Sequence, residues 1–213
     1  MAEGLRERKK RQTRQLISDV ATGLFLERGF DAVTVAEVAE AADVSVNTVY
    51  NYFPAKEDLF LDRSRGVTER LSRDVRGRAA GESAAEAVLR GLREDVEAVS
   101  ARVGLNPGIG KFMVVVQGAD GLKARLWLMQ QEALLHLAAT LREETGASAD
   151  DPLPDLIAGQ LSWVNNTLYA LIRREMTAGR DPAAVSRDAL GLLDEMEELL
   201  GEKVLNYARR TGD

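Results

Sequence analysis

The chain of 213 residues contains no cysteine. Disulfide frameworks, thiolate metal sites and cysteine nucleophiles are therefore excluded. It has one histidine, His136, and five prolines. A single histidine leaves little material for acid–base or covalent chemistry, and so few prolines leave long stretches free to be helical. No uninterrupted apolar run approaches the length of a membrane span. The charged N-terminus has no apolar run before Leu24, so it is not expected to be a secretory leader, and a cytoplasmic protein is the expectation. Strict alternation of β-branched residues is nearly absent. Val114-Val115-Val116 is the short exception, too brief to define a sheet.

What is present favours helices. Some 45% of residues are hydrophobic, enough for a core, and Ala, Leu, Glu and Arg dominate. An all-α protein follows. The net charge of -6 opposes nucleic-acid binding if taken alone, because the phosphate backbone rewards positive charge. Its distribution matters more. Arg6, Arg8, Lys9, Lys10, Arg11 and Arg14 stand against only Glu3 and Glu7, a local charge of +4, whereas residues 16–60 are acidic overall. Residues 1–10 are accordingly expected to form a flexible basic arm.

The pattern predicts a first helix from about Arg11 to Arg28. Leu16, Val20, Leu24 and Phe25 form its stripe, widened by Ile17 and Ala21, and Gly29 ends it. Thr34 and Glu37 have the spacing of a capping box for a second helix. Asp43 and Val44 make a turn, and Ser45 caps a third helix from Val46 to Tyr52. Val46, Val49 and Phe53 share the face expected to be buried, while Asn47, Thr48 and Asn51 point away, flanked by Tyr50 and Tyr52. So short a helix is marginal alone and must be held by packing, which presents its polar residues in a fixed pose. After Pro54, Lys56 opens a fourth helix expected to run to Arg76. The remainder reads as a helical bundle. It has a loose stretch from Gly104 to Gly110, a linker from Thr145 to Pro154, and a last helix announced by Asp181-Pro182.

The run Thr34-Val-Ala-Glu-Val-Ala39, then Val44-Ser-Val-Asn-Thr-Val-Tyr-Asn-Tyr-Phe53 and Lys56-Glu-Asp-Leu-Phe60, resembles the N-terminal domain of the TetR family of bacterial transcriptional regulators. Ala21, Leu24, Phe25, Gly29 and Phe30 resemble that family's first helix. The resemblance covers about residues 11 to 60. It implies an N-terminal three-helix DNA-binding domain with a helix-turn-helix at 11–58, a larger helical effector-binding and dimerisation domain at 59–205, and a C-terminal tail at 206–213. Thr34 would bond a phosphate. Ser45, Asn47, Thr48 and Asn51 would lie at or beside the base edges. Tyr50, Tyr52 and Lys56 would touch phosphates, and Lys10, Arg11 and Arg14 would add backbone or minor-groove contacts. Asn can pair bidentately with adenine, and Thr can meet a polar edge or a thymine methyl. No Arg or Lys lies between Arg28 and Lys56, so the strongest guanine reader is missing and a dimer on a palindromic operator must double the contact set. The resemblance further implies a repressor released by a small molecule, with coupling through the fourth helix.

The distal part offers Phe112, Met113, Val116, Trp127, Gln131, Trp163, Asn166 and Tyr169 as candidate ligand contacts, an apolar set with a few polar points. No buried-looking basic residue stands out, which favours a hydrophobic or amphipathic effector over a compact anion. Lys111, Lys123 and Arg125 leave room for an acidic head group. The last two helices carry broad apolar faces that serve either the subunit's own core or a homodimer. No cofactor, metal or membrane partner is implied: Glu132 and His136 have metal-ligand spacing, but no third ligand follows. The rival class is a helical interaction protein without a specific DNA operator.

Overall fold

The computed structural model describes residues 4–62 and 65–212, with only the backbone of Arg65 and Val67. The described residues are helical, with no strand among them. In order they form α1 (Leu5–Arg28), α2 (Val35–Ala41), α3 (Val46–Tyr52), α4 (Lys56–Phe60), α5 (Arg65–Thr68), α6 (Arg70–Arg76), α7 (Ala84–Glu97), α8 (Ile109–Gly118), α9 (Asp120–Thr145), α10 (Leu153–Thr177), α11 (Pro182–Glu198) and α12 (Glu202–Leu205). A 3-10 turn at Ala101–Val103 precedes α8. The chain forms two compact units. One comprises Met1–Arg65 with Val114–Trp127, the other Gly66–Met113 with Leu128–Asp213.

In the first unit α1 packs on α2 and α4, and α2 on α3. Ile17, Ala21 and Phe25 recur at four-residue spacing and are fully buried. The Phe25 ring lies 5.0 Å from that of Phe30 and 5.7 Å, edge-on, from that of Phe60. Gly29 adopts φ 87° and its N–H bonds the Phe25 carbonyl at 3.0 Å, a left-handed stop that L side chains resist. It folds Phe30 back onto the helix. Leu16, expected in the buried stripe, is instead exposed. The buried face turns through Arg14, Ile17, Ala21 and Phe25, and Leu16 falls outside it.

Of the arm expected at residues 1–10, residues 1–3 lie outside the described residues, and helix α1 begins at Leu5 and carries Arg6 to Lys10 as its first turns. The stretch consists of helix formers, has Glu7 in its first turn and holds no glycine or proline after Gly4, so nothing breaks it.

The single helix expected from Lys56 to Arg76 is likewise replaced by α4, α5 and α6. The Leu61 backbone leaves helical geometry at φ -90° and ψ 6°. The boundary expected at residue 58 moves accordingly, and the start of α9 joins the first unit. There Arg125 Nε donates to Asp58 Oδ1 at 3.0 Å, and a Cβ on Gly121 would stand 2.7 Å from Glu57 Oε1.

In the second unit Leu89, Leu92 and Val96 of α7 pack with Leu137 and Leu141 of α9, Leu161 and Leu168 of α10, and Leu193 of α11. Asp181 accepts from Ala184 N at 3.0 Å with Pro182 at the first helical position. In the stretch expected as a C-terminal tail, Tyr207 and Arg210 bond the backbone that leads into α7. Gly81 N donates to the Arg210 carbonyl at 2.8 Å, Arg210 N to the Glu82 carbonyl at 2.9 Å and Ala84 N to the Tyr207 carbonyl at 3.1 Å.

Candidate nucleic-acid interface

The two short helices α2 and α3 are fastened by their caps. Thr34 Oγ1 accepts from Glu37 N at 3.2 Å, and the Glu37 carboxylate accepts from Thr34 N at 2.7 Å and from the Thr34 hydroxyl at 2.8 Å. Arg28 Nη2 closes on the other carboxylate oxygen at 2.6 Å. The Thr34 backbone bond first, then Arg28, pull the Glu37 carboxyl from 4.5 down to about 2. A depressed carboxylate stabilises the fold above its unfolded pKa and loses that contribution as pH falls through its folded one. Glu37→Gln should therefore lower the melting temperature at pH 7, with a difference that shrinks as pH falls below about 4 toward about 2, checked by melting both proteins across that range.

The second cap is Ser45, whose Oγ accepts from Thr48 N at 3.0 Å and lies 2.8 Å from Thr48 Oγ1. Between the helices Asp43 takes φ 53°, a conformation that aspartate tolerates better than most residues. Val49 and Phe53 are buried beneath α3.

The outward side of α3 then follows from one helical turn. Asn47 and Asn51 are exposed, and among the described residues neither amide has a hydrogen-bond partner. Tyr50 is 50% exposed. Val46, expected in the core, is 41% exposed. At the first helical position it precedes the buried turn, so its methyl groups join Asn47, Tyr50 and Asn51 on the display face. Val46 is the residue the pattern misassigned, and its apolar character was the misleading signal.

The remaining candidates separate by what already holds them. Lys10 lines an open recess of about 360 Å³ with Arg6, Glu7, Lys9, Thr13 and Tyr52, which places ordered cations beside the end of α3. Arg11 is exposed on the same helix. Arg14, expected at phosphate, turns inward. Its Nε and Nη2 donate to Asp62 Oδ1 at 3.0 and 2.5 Å, and its Nη1 to the Tyr52 carbonyl at 2.8 Å. Its guanidinium sits 4.3 Å from the Phe53 ring centre. Lys56 also turns inward, donating to the Phe30 carbonyl at 2.6 Å with its ammonium 4.3 Å from the Phe30 ring centre. Each satisfies a backbone carbonyl and leans on an aromatic face, so both brace the unit that presents α3. Thr34 is exposed, but its hydroxyl and N–H are committed to Glu37.

The candidate ligand residues do not gather in one unit. Val116 and Trp127 fall in the first, and Phe112, Met113, Gln131, Trp163, Asn166 and Tyr169 in the second. Val116 is fully buried, while Trp127 is 58% and Trp163 45% exposed. Asn166 Oδ1 accepts from the Asn165 amide at 3.3 Å, so the two adjacent amides partner each other. The Tyr169 hydroxyl accepts from Arg70 Nη1 at 3.1 Å and donates to the Arg102 carbonyl at 3.2 Å. Basic residues are buried after all. Arg70 and Arg78 are nearly inaccessible, Arg70 paired with Asp95 at 2.8 Å and Arg78 with Glu144 at 2.6 Å. Their partners lie far away in sequence, beyond the reach of periodicity.

Comparison with known proteins agrees with this geometry. Residues 17–62 match the family described as bacterial regulatory proteins, tetR family. Over 155 residues the chain is 30% identical to the HTH-type transcriptional regulator TcmR of Streptomyces glaucescens, covering 70% of this chain and 67% of that protein. It is 38% identical over 69 residues to the HTH-type transcriptional repressor KstR of Rhodococcus jostii (strain RHA1), a match spanning 32% of each. Among solved structures, native NalD, the secondary repressor of the MexAB-OprM multidrug efflux pump in Pseudomonas aeruginosa, superposes with a TM-score of 0.58 at 20% identity. That match covers 90% of this chain and 98% of NalD, a likeness of fold.

Proposed function

Because the chain belongs to the TetR family of bacterial transcriptional regulators, we propose that it is a cytoplasmic repressor that binds a palindromic operator as a homodimer and is released by a small hydrophobic or amphipathic effector. The observation that carries the reading is the display of Val46, Asn47, Tyr50 and Asn51 on a helix anchored by Val49 and Phe53. Asn47 and Asn51 bring unpartnered amides suited to adenine edges, and Val46 brings methyl groups suited to thymine. Arg6, Lys9 and Lys10 bring ordered positive charge to the phosphates. Ser45 and Thr48 hold the leading end of α3, and Tyr52 shares the basic recess. Arg14 and Lys56 act from behind.

One copy presents a small base-reading set with no arginine on α3, so a two-fold pair is needed for useful specificity. The last two helices, α10 and α11, supply the pairing face in this reading. On α10, Leu156 is 60% and Trp163 45% exposed, two turns apart, and the exposed or half-exposed positions from Gly159 to Ala170 carry no charge. The outward side of α11 is charged, with Arg187, Asp188, Asp194, Glu195 and Glu198 exposed. The apolar centre of the interface therefore lies on α10, and α11 supplies its polar rim.

Sedimentation tests this assembly. The protein should be a dimer at micromolar concentration, and Leu156→Glu with Trp163→Glu should sediment as a monomer of unchanged helicity. A wild-type monomer at that concentration would remove the dimer from the account.

A further inference from the structure

The half-buried and buried arginines of the second unit follow a rule with one exception. Arg70 pairs with Asp95, Arg78 with Glu144, Arg93 with Asp194 and Glu197, and Arg142 with Asp155. Arg173, half-buried on α10, has no carboxylate within ion-pair distance among the described residues. Holding a guanidinium out of water without a counter-ion costs free energy that pairing would offset.

Its surroundings are assembled rather than open. Tyr169, one turn earlier on the same face, is fixed by Arg70 and by the Arg102 carbonyl. The chain at the start of α8 lies against the next turn: a Cβ on Gly104 would stand 3.6 Å from the Ile109 and Ile172 side chains, and one on Gly110 would stand 3.5 and 3.6 Å from the Thr177 and Met176 backbone. Arg70, Arg173 and Asp95 act on Tyr169, and Asp74 lies 3.9 Å from Arg70. Asp95 is already shared by Arg70 and Arg102, and burial pushes the Asp74 carboxyl up, weakening it as a counter-charge. Burial also pushes the Arg173 guanidinium down, the mark of a cation short of partners. Of the three basic residues expected near an acidic head group, Lys123 pairs with Asp120 at 2.6 Å and Arg125 with Asp58 at 3.0 Å, and Lys111 is exposed.

We propose that Arg173, with Tyr169 beside it, is the binding point for the oxyanion head group of an amphipathic effector, a carboxylate or phosphate received by the guanidinium fork. This rests on reading the second unit as the effector-binding one, and it replaces the expectation that an anionic group has no buried cation to meet.

Decanoate, decyl phosphate and decanol test it as probes with one tail and three heads, titrated calorimetrically into the full-length protein. At least one oxyanion should bind about tenfold or more tightly than decanol, and the tighter of the two identifies the head group. Arg173→Gln should erase the preference, while Arg174→Gln, at an exposed neighbour, keeps it. Without ligand, Arg173→Gln should melt no lower than wild type, because the change removes an unpaired charge, whereas a structural arginine would leave a less stable protein. Equal binding of all three probes, no binding of either oxyanion up to about 1 mM, or a preference that survives Arg173→Gln overturns the proposal. An oxyanion that binds through Arg173 yet leaves operator affinity unchanged supports the site and removes only the effector role of that unit.

Discussion

Replacing Asn47 and Tyr50 together by alanine should abolish discrimination between the operator and unrelated DNA while leaving the protein folded. A bidentate base contact contributes about 1–3 kcal/mol of discrimination, and two-fold pairing doubles the loss. Affinity for the operator should therefore fall at least about 100-fold, bounded by the roughly 10³–10⁷ that separates specific from non-specific binding. Affinity for scrambled DNA should change little, because Arg6, Lys9 and Lys10 remain in place beside the recess. The fold should survive because Asn47 is exposed and Tyr50 is 50% exposed, and alanine is at least as good a helix former as either. Gel-shift titrations on both DNAs, with a melting curve of the variant, check each part. Operator affinity within a factor of about three of wild type would show that α3 is not the reading element.

The second large effect is on stability. Phe25→Ala removes a fully buried ring that contacts both Phe30 and Phe60, and a truncation of this kind costs about 3–5 kcal/mol. Against the roughly 5–15 kcal/mol that holds an ordinary domain folded, most of the first unit's margin disappears. Calorimetry should show a transition at markedly lower temperature. Operator binding should weaken as well, since α3 is too short to persist without the core beneath it. A loss below about 1 kcal/mol would mean that the aromatic group is not what holds α1 to α4.

What the amino-acid pattern disclosed, and what it hid, divide along a physical line. Local rules were readable. Thr34 with Glu37, Ser45, Gly29 and Asp181-Pro182 each act within four residues, and each is found as expected. The hidden features depend on distant partners. Arg14 and Lys56 were expected at phosphates, Lys56 from the family resemblance. The partners they have within the chain, Asp62, the Tyr52 carbonyl and the Phe30 carbonyl, are brought in only by folding. Val46 was misplaced because a seven-residue helix offers too few turns for a stripe to identify its own face. The break after Phe60 has no proline or glycine to mark it. The pairing of Arg78 with Glu144 spans 66 positions, and without it a buried arginine is invisible in the chain. Of the interface, the polar centre was legible and the bracing behind it was not.

Nuclease footprinting on DNA flanking the protein's own gene, repeated across a range of salt concentrations, tests the central claim most directly. The account predicts protection of one palindrome by the dimer. Its binding constant should fall steeply with salt as phosphate contacts release counter-ions, and the Asn47 and Tyr50 double substitution should abolish the protection. Uniform, sequence-independent protection by the wild-type protein, unchanged by that substitution, would contradict it.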